Sequence, residues 1–97
     1  MSSLTTLARP YAKAAFALAE EEQALARWEE MLNLAASIAA NAAMAELLDS
    51  PQLSSAKAAG MIADMGGEAF DGRFRDFLSV LAANGRLSLL PEITRLF

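Results

Sequence analysis

Apolar residues at the start of the chain form two neighbouring helical stripes where a small globular domain needs one. Over Leu4 to Glu20, the residues Leu4, Leu7, Tyr11, Ala14 and Leu18 follow one another at alternating spacings of three and four. Beside them run Ala8, Ala12, Ala15, Phe16 and Ala19, leaving only Thr6, Arg9, Lys13, Ala17 and Glu20 for water. A helix apolar over more than half of its circumference is either central to a core or grips another chain. Ser2 or Ser3 is a natural N-cap. Pro10 complicates the reading, because inside a helix proline removes a backbone bond and clashes with the preceding turn. Local rules start the helix at Pro10, whereas the Leu4 and Leu7 periodicity predicts a longer helix bent near Thr6.

A second helix is predicted from about Gln23 to Asn41. Leu25, Trp28, Leu32, Ala35 and Ala39 share one face, widened by Met31, Leu34 and Ile38. The carboxylates of Glu20, Glu21 and Glu22 precede it and favour the positive end of its dipole. Asn41 is placed to cap a third helix through Leu48, after which Asp49-Ser50-Pro51 reads as a turn. Ser54 caps a fourth, roughly Ser55 to Met65, with Ala58, Met61, Ile62 and Met65 inward and Gly66-Gly67 as its left-handed stop. A fifth begins near Asp71 and ends at Asn84-Gly85. Its Phe74, Leu78 and Leu81 supply an inner stripe, so Phe77 and Val80 read as surplus. The last helix starts near Ser88, carries Leu90, Ile93 and Leu96, and reaches Phe97 without a termination signal, as in a piece of something longer. With short connections and no repeat or strand-like alternation, residues 1–97 read as one domain, an all-α compact six-helix bundle.

Composition narrows the function classes. At 97 residues the chain buries about 60 to 65% of its unfolded surface, enough for a core without staples. It has no cysteine and no histidine, which removes disulfides, thiolate nucleophiles, the usual zinc sites and the commonest general base. No catalytic residue, cofactor or metal is assigned. A net charge of -4, with the eight basic residues scattered, argues against nucleic acid, because phosphate binding needs clustered Lys and Arg. The longest uncharged stretch, Met31 to Ala45, falls short of the roughly 18 apolar residues of a membrane span, so direct membrane insertion is not expected. The N-terminus has no basic segment followed by an apolar one, which points to the cytoplasm.

Four motifs invite sharper readings. Asp49-Ser50 has the look of a carrier-protein serine that accepts a phosphopantetheine arm, but Pro51 follows it and the next helix offers Ser54, Ser55 and Lys57 where an acidic recognition helix belongs. Ser54 and Lys57 match the serine-x-x-lysine spacing of acyl-enzyme hydrolases without that group's companion segments. Capping explains both. Glu20 to Glu22 point in successive directions around a helix and suit a solvated junction better than a cation site. Trp28, Phe74 and Phe77 lack the basic groove of a base-stacking platform.

The two surplus stripes remain. Lying side by side, the Tyr11 stripe and the Phe77–Val80 edge would form a groove for an amphipathic partner helix. Pattern alone equally allows both to be core.

At this point four segments agree with a known family. Ala8 to Phe16 (ARPYAKAAF), the Arg27-Trp28 pair, Met44 to Leu48 (MAELL) and Ala83 to Leu87 (ANGRL) resemble, in order and spacing, the delta subunits of bacterial F-type ATP synthases. The resemblance implies a six-helix N-terminal domain of a peripheral-stalk protein, related to the oligomycin-sensitivity-conferring subunit of mitochondria and not itself an enzyme. It implies binding of an alpha subunit's N-terminal helix in a groove between the first and fifth helices. Carried over by position, the groove uses Leu4, Leu7, Tyr11, Ala14 and Leu18 with Phe77, Val80 and Asn84. The family's C-terminal domain, which joins the b subunits, lies outside this chain, and the setting implied is the cytoplasmic face of the bacterial inner membrane. The rival readings are a carrier protein modified at Ser50 and a generic helical adaptor.

Overall fold

Ser3 caps α1 (Leu4–Glu21), its hydroxyl accepting from the Thr6 amide at 3.2 Å. The computed structural model describes residues 3–97, so Ser2, the other candidate cap, lies outside the described residues. Five more α-helices follow among them: α2 (Leu25–Ala40), α3 (Ala42–Leu48), α4 (Ser55–Gly66), α5 (Gly72–Ala83) and α6 (Leu90–Leu96). The described residues contain no strand, and the predicted six-helix bundle is the observed fold. Its Cα radius of gyration, 12.4 Å, matches the roughly 12.5 Å of a compact domain of this length.

α1 runs unbroken through Pro10. The proline offers no N–H to the Thr6 carbonyl, but it sits on the outer side, while Ala8, Ala12, Ala15 and Ala19 are all buried. This seam of single methyl groups lets α1 lie close against α6 and α2. Phe16 departs from that stripe: it is exposed, and its ring instead meets the ring of Phe97 at 5.4 Å.

α1 stops in a Schellman motif. The Ala24 amide donates to the Ala19 carbonyl at 2.8 Å and the Gln23 amide to Glu20 at 3.0 Å, with Gln23 left-handed at φ 55°. Gln23 therefore ends the first helix, and the second begins two residues later than its expected start. The remaining caps follow the sequence. Asn41 accepts from the amides of Ala43 and Met44, Ser54 from Lys57, and Asp71 from Phe74. Gly67, at φ 57° and ψ -133°, turns the chain out of α4 in a conformation that favours glycine. Arg75 secures that turn by donating to the carbonyls of Gly67 at 2.6 Å and Phe70 at 3.1 Å.

Trp28, fully buried, is the centre of the aromatic core. The rings of Phe74 and Phe77 stand edge-on to it at 5.3 and 5.7 Å. Phe77, read as surplus from the sequence, is only 5% exposed and belongs to this cluster. Three inward assignments are also reversed. Leu25, Leu34 and Met65 lie at the edges of their helical faces and are 41, 37 and 60% exposed. No single helix among the described residues is long and apolar enough to cross a membrane. The Met31–Ala45 stretch is split between α2 and α3, bent by 85°, with Met31, Leu32, Ala35, Ile38, Ala39 and Met44 in the core.

Candidate functional site

With the alanine seam turned inward, the opposite side of α1 faces α5 across an open furrow. α1 packs chiefly on α6 and α5 chiefly on α4, so the two flanking helices are neighbours that share no tight seam. They run antiparallel. At one end Arg73, in the first turn of α5, pairs with Glu22 at 2.9 Å and Glu21 at 3.5 Å, at the end of α1. At the other, Leu7, Tyr11 and Ala14 of α1 meet Val80 of α5 around a cavity of about 460 Å³. Thr6, Pro10 and Arg86 complete its walls.

Four of the eight residues expected in the groove are thus brought together: Leu7, Tyr11, Ala14 and Val80. Val80 is 52% exposed, a β-branched apolar side chain open to solvent on the furrow wall. The other four do not line this cavity. Leu4 is exposed one turn further along α1, and Leu18 is half-buried against the core. Phe77 is enclosed by Trp28 and Phe74. Asn84 is exposed, but its side-chain amide turns back to donate to the Val80 carbonyl at 2.9 Å, capping α5.

Sequence reading missed Thr6, Pro10 and Arg86. The first two flank the outer stripe at helical spacing and were discounted as polar or helix-breaking. Arg86 lies beyond the end of α5, where periodicity gives no direction. Its position comes from a second Schellman motif: the Arg86 amide donates to Leu81 at 2.8 Å and the Gly85 amide to Ala82 at 3.0 Å, with Gly85 at φ 68°.

Chemically, the furrow offers shape and apolar surface. Its lining holds no carboxylate, and Arg86 is its charged member. The serines considered for covalent chemistry are engaged structurally, Ser50 accepting from the Gln52 amide at 3.3 Å within its turn and Ser54 capping α4. Among the described residues no cluster of acidic side chains is arranged to hold a metal ion. A second furrow lies on the other side of α1, about 330 Å³, where Phe16 and Ala17 meet Leu96 and Phe97 under Arg9 and Lys13.

Residues 7–97 match the family model described as "ATP synthase delta (OSCP) subunit". Over all 97 residues the chain is 48% identical to the ATP synthase subunit delta of Alcanivorax borkumensis and 44% identical to that of Marinobacter nauticus. The corresponding protein of Nitrosospira multiformis is 40% identical over the same 97 residues. In each case the whole of this chain is covered and 54% of the relative, so the chain spans about half the length of the curated relatives it matches. The four segments that carried the resemblance, and the fold they specify, thus lie in a chain that belongs to the ATP synthase delta (OSCP) subunit family.

Proposed function

We propose that this chain is the N-terminal domain of a delta subunit and that its α1–α5 furrow holds the N-terminal helix of an alpha subunit. The domain would be a non-catalytic part of the peripheral stalk, keeping the catalytic head still against rotor torque at the cytoplasmic face of a bacterial inner membrane. Contacts to the b subunits would run through the half of the relatives that this chain does not span. The observation that carries the reading is the open furrow itself: Val80, Tyr11, Leu7 and Ala14, from two helices without a tight mutual seam, present one apolar surface to solvent. An amphipathic helix fills such a trough with side chains at positions i, i+3, i+4 and i+7. Burial at about 25 cal/mol per Å² gives a large gross gain, of which association costs leave a surplus as affinity. A stator contact needs that surplus expressed as slow dissociation.

The test is calorimetric titration of the domain with a synthetic peptide of the alpha-subunit N-terminus, with Val80→Asp as the discriminating variant. Saturable binding by the wild-type domain, lost in Val80→Asp while far-UV ellipticity is unchanged, supports the assignment. Equal affinity in both would place the peptide elsewhere, and no binding by either would leave a helical adaptor for another chain as the better description. Ser50 gives a separate control: the carrier reading requires added mass after incubation with a phosphopantetheinyl transferase, and the stator reading requires none.

A further inference from the structure

Four of the six arginines have side-chain partners among the described residues; Arg9, in the wall of the second furrow, and Arg86 have none. Arg27 pairs with Asp71, Arg73 with Glu21 and Glu22, and Arg95 with Glu92, while Arg75 holds two carbonyls of the α4–α5 turn. Arg86 is half-buried as a residue and lines the furrow, and its side chain has neither a carboxylate nor a hydrogen-bond partner among the described residues. Its backbone is nevertheless fixed by the bonds of the Schellman motif. An unpaired arginine whose backbone is fixed at the edge of an apolar trough is suited to recognise a carboxylate.

We infer that Arg86 sets the register and direction of the bound helix by pairing with a carboxylate at the border of that helix's apolar face. The inference rests on the furrow being the docking site. Charge complementarity selects the occupant. The chain carries a net charge of -4, so an acidic group is repelled by the molecule as a whole, yet the furrow lining contains no carboxylate to oppose it. The carbonyls at the end of α5 amount to about half a negative charge. Two of the last carbonyls, those of Leu81 and Ala82, are already taken by the Arg86 and Gly85 amides, so the full positive charge of the guanidinium dominates locally. Next to Leu7, Tyr11 and Val80 a docked helix would exclude water from this corner, which strengthens a charge-assisted pair relative to one in open solvent. The cavity's apolar positions accept a helix in either direction. A single cation at one end does not.

A double-mutant cycle by calorimetry tests this, using the alpha-subunit N-terminal peptide and versions in which each Asp or Glu is replaced in turn by Asn or Gln. Arg86→Gln is expected to weaken binding about tenfold or more. One acid-to-amide peptide should lose a similar factor against the wild-type domain and little further against Arg86→Gln. Arg86→Lys, which keeps the charge and loses the planar fork, should fall between and guards against a folding artefact. The inference is overturned if Arg86→Gln binds as well as the wild type, or if every peptide loses the same factor against both domains. Val80→Asp separates the two levels. Loss of binding there with none in Arg86→Gln removes the role of Arg86 alone, whereas undiminished binding in Val80→Asp, or none by the wild type, removes the furrow and this inference with it.

Discussion

The ring of Phe74 meets Trp28 edge-on, with centroids 5.3 Å apart and planes inclined by 70°, joining α2 to α5 at the centre of the core. The indole also donates to the Glu22 carboxylate at 3.3 Å, reaching back to the end of α1. Three helices therefore converge on one side chain. Trp28→Ala should cost about 3–5 kcal/mol, a large share of the total stability of a domain this size. Trp28→Phe should cost about 1–2 kcal/mol, mostly from lost ring volume, because so long a hydrogen bond adds little. Urea denaturation followed by far-UV circular dichroism measures both, and a loss below about 1 kcal/mol for Trp28→Ala would contradict the central role.

Phe77 and Val80, three residues apart on α5, should respond in opposite ways to substitution. Phe77→Ala opens a cavity beside Trp28 and should lose about 3–5 kcal/mol of stability. Val80→Ala, at a position already 52% exposed, should change stability by no more than about 0.5 kcal/mol. It should instead weaken alpha-peptide binding, by up to about 2 kcal/mol if Val80 is an anchor of the interface. Comparable destabilisation by the two variants would undo the division between core and furrow.

Adding a methyl group to α4 should stabilise at one glycine and destabilise at another. A Cβ at Gly60 meets nothing within 4 Å, so Gly60→Ala should gain about 0.5–1 kcal/mol from the smaller entropy of the unfolded chain. A Cβ at Gly66 would overlap the ring of Phe70, which is itself buried. Gly66→Ala should cost about 1–3 kcal/mol through overpacking. Thermal melts of the two variants should move in opposite directions.

Glu92 should impose an acid-side dependence on stability. Its carboxylate accepts from Arg95 and from Thr5, and these hydrogen bonds hold its pKa at about 2 instead of the usual 4.5. The unfolded chain binds this proton more readily than the folded one. The stabilisation is therefore fully present above pH 4.5 and fades as the pH falls toward 2. In Glu92→Gln the difference from wild type in urea midpoint should be larger at pH 6 than near pH 2.5. The same difference at both would show that the Thr5–Glu92–Arg95 cluster does not couple to folding.

The helices and their caps were legible because each rests on a local signal: Asn41, Ser54 and Asp71 cap where their side chains can reach nearby amides, and the long α1 follows from the Leu4–Leu7 spacing in spite of Pro10. Face assignments at the margins were not. Phe77 belongs to the core because Trp28 arrives from another helix, and no count along α5 contains that ring. Met65 loses its inner position in the last turn of α4, one residue before Gly66. In the furrow, Leu7, Tyr11, Ala14 and Val80 follow from helical spacing. Arg86 does not, because a left-handed glycine comes between it and the helix.

The alanines on the inner side of α1 carry a further consequence. Ala8, Ala12, Ala15 and Ala19 never touch the furrow, yet their small size sets how deeply α1 sits and so how far its outer wall stands from Val80. They work as a spacer gauge. A bulkier residue among them would push α1 outward and change the calibre of the trough from behind. On the proposed reading, the hold on a docked helix can thus be retuned by residues that helix never meets.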